Sequence, residues 1–235
     1  MGDTGQNIFA NNANWTFSGD VAKSFGEHVT NSVPLYAEGQ QLIAEFSDFF
    51  VGENEKVYDL GCSTGSLTKL IADRHKSRNT EIIGIDIEEK MIEEAIKINS
   101  SVNINYLAAD IVSFKLEPTN FITAYYTIQF ISPSIRQFLF DKIYQSLNWG
   151  GALIIFEKVR ASDARFQDYI TQLYQEFKLN KNFTPDQIIS KSQSLKRVLE
   201  PFSSQANMDL MKRAGFKDII TIQKYLCFEG FLAIK

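Results

Sequence analysis

The residues best placed to do chemistry in this chain are three aspartates gathered around one glycine turn. The segment Val57-Tyr58-Asp59-Leu60-Gly61-Cys62-Ser63-Thr64-Gly65-Ser66 reads as a short apolar strand that ends in a tight turn and opens a helix. Glycine at such a turn lets the backbone approach a ligand where a Cβ would collide. Gly61 and Gly65 form Gly-x-x-x-Gly, not the Gly-x-Gly-x-x-Gly that cradles a pyrophosphate. The carboxylate of Asp59 would repel phosphates, whereas it suits a ligand carrying an ammonium and a sulfonium centre. Asp86 ends the next strand, placed to accept two hydrogen bonds from a ribose diol, and Ile87 follows it in the cofactor-binding set. Asp110, with Ile111 beside it, ends a third strand; an acid next to an apolar side chain suits adenine, which offers an amine and a flat face. A lone aspartate at a strand end is commonly a cap or turn residue. Three of them around one glycine turn converge on a single crevice, and that crevice fits S-adenosylmethionine.

The elements that must position these residues alternate between two periods. Lys56–Leu60, Glu81–Asp86, Val102–Ala108, Phe121–Tyr126 and Ala152–Phe156 read as strands, separated by segments with apolar residues at helical spacing. The order predicts a parallel sheet covered on both faces. Trp149-Gly150-Gly151 is expected to break the helix before the fifth strand. The last two segments, Asp218–Gln223 and Tyr225–Lys235, are too close together for a parallel crossover and must pair antiparallel. The expected fold is therefore α/β and Rossmann-like: seven strands, mostly parallel, ending in an antiparallel hairpin. Residues 1–55 are expected to form a helical lid and 163–201 a helical insertion, within one domain spanning 1–235.

Composition narrows the class. The chain has 235 residues, 44% of them hydrophobic, which is enough for one α/β core. Its net charge of -4 argues against direct nucleic-acid binding, which normally brings a basic surplus. No apolar run reaches the roughly 20 residues needed to span a bilayer. The polar N-terminus does not read as a signal peptide, and Gln6 stands where a myristoylation signal needs Ser or Thr. Cys62, Cys227, His28 and His75 show no metal-ligand spacing, so no metal is expected. The two cysteines read as free thiols of a cytoplasmic protein. His28 reads as a surface helix residue, and Phe156, Phe228 and Phe231 as core.

With these residues in place, the chain resembles the class I S-adenosylmethionine-dependent methyltransferases. More narrowly it resembles the carboxy-S-adenosylmethionine synthases, which use prephenate to convert S-adenosylmethionine to its carboxymethyl form for modification of wobble uridine in tRNA. The resemblance runs from about Asn14 to the C-terminus. Its segments are Trp15-Thr16-Phe17, Asn31-Ser32-Val33-Pro34, Val57 to Ser63, Gln129-Phe130, Asp141 to Gln145, Gly150 to Leu153 and Ala214-Gly215-Phe216. It implies cofactor contacts at Tyr36, Gly61, Cys62, Ser63, Asp86, Asp110 and Ile111, and it implies a homodimer. Two positions depart from the family. Tyr125 stands where the family has Asn, and Ser192 stands where it has an Arg that contacts the added carboxylate. Serine cannot make the bidentate pair of a guanidinium. Lys191, Lys196 and Arg197 are its near neighbours in sequence, and helical spacing would put Lys196 on the same side as Ser192.

The leading expectation is methyl transfer to a small-molecule acceptor, in which the protein supplies proximity and orientation. Tyr125 and Tyr126, at the end of the fourth strand, are the candidate catalytic residues, and Tyr125 also belongs to the cofactor set. One of the two would orient the acceptor or relay a proton, while core packing is the plainer role for Tyr126. Lys191, Ser192, Lys196 and Arg197 are the candidate substrate-binding residues. The second expectation is carboxy-S-adenosylmethionine synthesis from prephenate. The third is a non-catalytic cofactor-binding module.

Overall fold

The computed structural model describes residues 2–5, 8–17 and 21–235. Its centre is a seven-stranded sheet built from β3 (Lys56–Leu60), β4 (Glu81–Asp86), β5 (Ile104–Ala108), β6 (Thr119–Tyr125), β7 (Leu147–Lys158), β8 (Asp218–Tyr225) and β9 (Phe228–Ile234), in the order β5-β4-β3-β6-β7-β9-β8. Strands β3 to β7 pair in parallel, and β9 runs antiparallel to both β7 and β8. The central strands are near-continuous apolar runs because both of their faces are covered.

On one face, α5 (Pro133–Ser146) and α8 (Ser204–Ala214) bring Leu139, Phe140, Leu210 and Met211 against Leu60, Ile122 and Phe231. On the other, α2 (Tyr36–Ser47) and α3 (Ser66–Arg74) set Ile43, Leu67 and Ile71 against Val57, Phe121 and Phe156. Each such side chain, fully buried, contributes roughly 1.5–3 kcal/mol. The chain steps outward from β3 through β4 to β5, then returns to β6 on the other side of β3. The crevice at this reversal lies at the carboxyl ends of the strands, where ligands bind in open α/β sheets.

The N-terminal region is less helical than expected. A two-stranded ribbon, β1 (Gly2–Asp3) with β2 (Phe9–Ala10), precedes α1 (Val21–Ser32). Pro34 disfavours helix at Val33, and Leu35 takes a left-handed φ of 55°, so α2 starts afresh at Tyr36. The insertion forms α6 (Ala164–Asn180), capped by Asp163, and α7 (Pro185–Ser194), opened by a capping box of Thr184 and Gln187. Helix α4 (Glu89–Asn99) fills the connection after β4.

The sheet differs from expectation at several strand boundaries; Tyr225, expected to open the last strand, ends β8 instead, and β9 starts at Phe228. The third strand starts at Ile104, leaving Val102 fully exposed. The fourth runs Thr119–Tyr125, with Tyr126 just past its end. Trp149-Gly150-Gly151 lies inside β7, because α5 already ends at Ser146. Ladder partners override the local preference of glycine there: the Gly150 N–H donates to the Lys235 carbonyl and the Lys235 N–H to that of Gly151, both at 2.9 Å. No helix among the described residues is long and apolar enough to cross a membrane.

Candidate active site

The turn after β3 forms the floor of the site. Gly61, at φ 76°, and Cys62 both donate their N–H groups to the Ile85 carbonyl, at 2.7 and 3.0 Å. A side chain at Gly61 would run into Thr127. Ser63, itself left-handed, donates its N–H to Asp86 Oδ2 at 2.9 Å. Gly65 is a turn residue: it caps α3 at φ 79°, lies against the Tyr106 hydroxyl, and does not line the cavity that Gly61, Cys62 and Ser63 line.

That cavity has a volume of about 740 Å³, and it carries acids on one side and cations on the other. Asp59 is 1% exposed; its Oδ2 accepts from the Thr68 hydroxyl at 2.6 Å, and its Oδ1 has no partner among the described residues. Burial, opposed by the Thr68 hydrogen bond and reinforced by the charge of Asp86, pushes its carboxyl up to about 7. Asp86 accepts from the Ser63 and Glu88 N–H groups, and burial raises its pKa as well. Each of its oxygens keeps a lone pair for a ligand hydroxyl. Asp110 is exposed at the rim with Oδ1 on the Val112 N–H at 2.8 Å; Ile111 is buried beside it, and Ile87 is exposed across the mouth.

Three tyrosines make the wall between the two sides. The rings of Tyr36, Tyr125 and Tyr126 lie 4.9, 6.2 and 4.6 Å apart, taking the pairs 36–125, 36–126 and 125–126. Tyr125 donates its hydroxyl to the Tyr36 carbonyl at 2.6 Å. Tyr126 sits at φ 59° with its hydroxyl buried and without a partner among the described residues. Burial raises the pKa of both Tyr125 and Tyr126, so they serve as hydrogen-bond donors or ring surfaces rather than as bases.

Lys158, at the end of β7, Lys178 of α6 and Lys191 of α7 line the other side, with Arg160 and Lys196. Among the described residues no carboxylate lies within 4.0 Å of Lys158, Lys178 or Lys191. The Lys158 and Lys178 ammoniums lie 4.5 and 4.6 Å from the centroid of the Tyr174 ring, and Lys191 lies over Trp15. His28, expected on the surface, is only 4% exposed: Trp15 stacks on it at 5.6 Å and Phe183 closes its edge. Burial, then the charges of Lys191 and Lys178, pull its pKa down to about 3, so the imidazole is neutral.

The sequence-derived substrate set divides. Lys191, Ser192 and Lys196 line the cavity. Lys196 lies past the end of α7, so it reaches the cavity from the following turn rather than by helical spacing from Ser192. Arg197, exposed at φ 66°, does not line it. Sequence reasoning missed Lys158, Lys178, Trp15 and Tyr174. For Lys158 a signal existed: a charge directly after an apolar parallel strand sits where ligands bind. No group of side chains among the described residues could hold a metal ion.

Comparison with known proteins agrees with this fold. Residues 57–151 match a family model described as a methyltransferase domain. Human N-acetylserotonin methyltransferase, solved in complex with SAM, superposes with a TM-score of 0.55 at 16% identity, over 91% of this chain and 59% of that one. The YcgJ protein from Bacillus subtilis does so with a TM-score of 0.56 at 15% identity, over 80% and 72%. Fold and site together define a class I S-adenosylmethionine-dependent transferase. Across nearly its whole length the chain is 39% identical, over 222 residues, to the carboxy-S-adenosyl-L-methionine synthase of Staphylococcus epidermidis, covering 94% of this chain and 97% of that one. It is 33% identical over 221 residues to the enzyme of the same name from Campylobacter lari, covering 93% and 94%. The chain belongs to the carboxy-S-adenosyl-L-methionine synthase family.

Proposed function

We propose that this protein forms carboxy-S-adenosyl-L-methionine from S-adenosylmethionine and prephenate, acting in the cytoplasm as one catalytic unit. The observation that carries the reading is the division of charge in the cavity, with Asp59, Asp86 and Asp110 on one side and Lys158, Lys178 and Lys191 on the other. A cationic sulfonium ligand and a dianionic acid would sit side by side there, each against the opposite charge. Methyl transfer to an acceptor, the leading expectation from sequence, gives no reason for the cations. The names of the full-length relatives favour carboxy transfer as well.

In this reading Asp59 Oδ1 accepts from the ammonium of S-adenosylmethionine, Asp86 holds the ribose diol, and Asp110 with Ile111 receives adenine. The rings of Tyr36, Tyr125 and Tyr126 face the sulfonium, which aromatic faces attract. The net reaction balances. Prephenate gives up its ring carboxylate and its hydroxyl as the ring becomes aromatic. The carboxylate replaces one hydrogen of the methyl group, that proton and the hydroxide leave as water, and phenylpyruvate remains.

Residues 1–55 would act as the lid and 163–201 as the cover over the acid-binding side. They are tied together where the Tyr174 hydroxyl donates to the Ser32 carbonyl at 2.8 Å. A small-molecule donor rather than nucleic acid suits the net charge of -4, and the family resemblance implies a homodimer. The test is incubation with S-adenosylmethionine and prephenate, read by mass spectrometry. The expected product is heavier by one carboxylate and appears in step with phenylpyruvate. S-adenosylhomocysteine accumulating with an acceptor pool, and no carboxylated product, would overturn the reading in favour of methyl transfer.

A further inference from the structure

Ser192 stands where related enzymes are expected to place a guanidinium against a carboxylate, and it lies exposed on α7 with only a hydroxyl to offer. We propose that Lys158 and Lys178, both set over the ring of Tyr174, are the carboxylate-binding pair for the second substrate in this chain. The inference rests on the carboxy-transfer reading for the identity of that substrate, a dianionic keto acid, but the anion site itself stands on separate geometry.

Two ammonium groups near one ring repel each other, and burial adds to the cost unless an anion bridges them. Among the described residues no carboxylate lies within 4.0 Å of either. Lys178 is nonetheless 7% exposed, so its charge is held inside the cavity rather than in bulk water. The arrangement is also fixed. The Tyr174 ring is anchored by its hydroxyl on Ser32, and the Lys158 N–H donates to the Gln129 side-chain oxygen at 2.9 Å. Its position relative to the cofactor side fits as well. Phe228 lies between Tyr126 and Tyr174, with ring separations of 5.8 and 5.2 Å, so a single ring separates the pair from the tyrosine wall. Lys191 is already engaged over Trp15 and borders His28, and burial lowers its pKa well below the usual lysine value, so it stands apart from the pair. A lysine pair thus does by two point charges what one planar fork does elsewhere.

The test compares Lys178→Met, Lys158→Met and Lys178→Arg with the parent protein. Calorimetry with S-adenosylmethionine serves as the control for folding, and each variant should bind it within about twofold of the parent. For prephenate, each methionine variant should raise KM about tenfold or more while changing kcat less, the scale of a lost charge-assisted hydrogen bond, and arginine should restore most of the loss. Phenylpyruvate titrated into the protein loaded with S-adenosylhomocysteine should weaken in parallel. If the parent makes no carboxylated product, the carboxy-transfer reading falls. The phenylpyruvate titration then still decides the pair: weaker binding in the methionine variants supports it. Methionine variants that bind phenylpyruvate as the parent does would overturn the pair whether or not product forms.

Discussion

Replacing Asp59 by asparagine should make the ligand-free protein more stable and its cofactor binding weaker, both in a pH-dependent way. Asp59 is buried, with Oδ2 on Thr68 and Oδ1 without a partner among the described residues, and its carboxyl is pushed from 3.8 up to about 7. Because the folded-state value lies above the unfolded one, the fold favours the protonated form. Its contribution is complete below about pH 4 and is lost as pH rises through 7. A shift of about three units at about 1.4 kcal/mol each means that ionised Asp59 costs the ligand-free fold on the order of 4 kcal/mol at pH 8. Asparagine cannot ionise, and its carbonyl can still accept from Thr68. Asp59→Asn should therefore unfold at a higher temperature than the parent at pH 8 and at nearly the same temperature at pH 4.5. Binding runs the other way. In the proposed reading the ammonium of S-adenosylmethionine pairs with this carboxylate, so parental affinity should fall about tenfold per pH unit below 7. The variant should bind about 1–3 kcal/mol more weakly at pH 8 and show little pH dependence. Scanning calorimetry at pH 4.5 and pH 8 measures the first effect, and titration calorimetry at pH 6, 7 and 8 the second. A variant that loses stability at pH 8, or parental affinity that is flat across this range, would refute the reasoning.

Asp86→Ala should cost roughly 1–3 kcal/mol in S-adenosylmethionine affinity, measured by calorimetry, because it removes the ribose acceptor and the support of the Ser63 N–H together. Gly61→Ala puts a Cβ at a φ of 76° and against Thr127, so it should destabilise the fold by roughly 1–3 kcal/mol in urea unfolding and weaken cofactor binding. Tyr125→Phe removes the hydroxyl bond to the Tyr36 carbonyl and should cost about 1 kcal/mol of stability, with turnover changed less than by loss of the Tyr126 ring in Tyr126→Ala. Lys178 is lowered to about 8 by burial and then by the charge of Lys158, with the charge of a Cys227 thiolate opposing, while Lys191 and neutral His28 stand nearby. The KM for prephenate should accordingly rise as pH passes 8, and Lys178→Arg should move that rise to higher pH.

The acidic half of the site was legible because each of its carboxylates follows an apolar strand in the local pattern. Asp59, Asp86 and Asp110 are read in sequence order, and the parallel sheet then brings their strand ends together. The basic half left a weaker trace, with Lys158 marked by the apolar strand before it and Lys191 and Lys196 reached only as neighbours of Ser192. Lys178 sits in a helix whose polar composition looks like an ordinary solvated face, and it joins Lys158 and Lys191 in one cavity only because α7 packs on the β1–β2 ribbon and Tyr174 of α6 bonds to Ser32. His28 was misread for the same reason, since Trp15 and Phe183, which cover it, come from distant parts of the chain. The Trp149-Gly150-Gly151 segment shows the converse failure: glycine marks a break locally, but the sheet offered hydrogen-bond partners that the local pattern could not reveal. Lys196 was placed near Ser192 by helical spacing and does line the cavity, although the helix ends before reaching it.

The order of the sheet has a consequence for how the polypeptide is made. Strand β9 is inserted between β7 and β8, yet it is synthesised after both of them and after α6, α7 and α8. Until it emerges, the edge of β7 presents the row of unpaired peptide groups from Ala152 to Lys158, in one of the most apolar stretches of the protein. Such an open edge invites pairing with another nascent chain. The vulnerable interval in biogenesis thus falls after every other strand of this sheet has been translated. Slowing translation ahead of Phe228 should increase aggregation more than an equal delay ahead of β4.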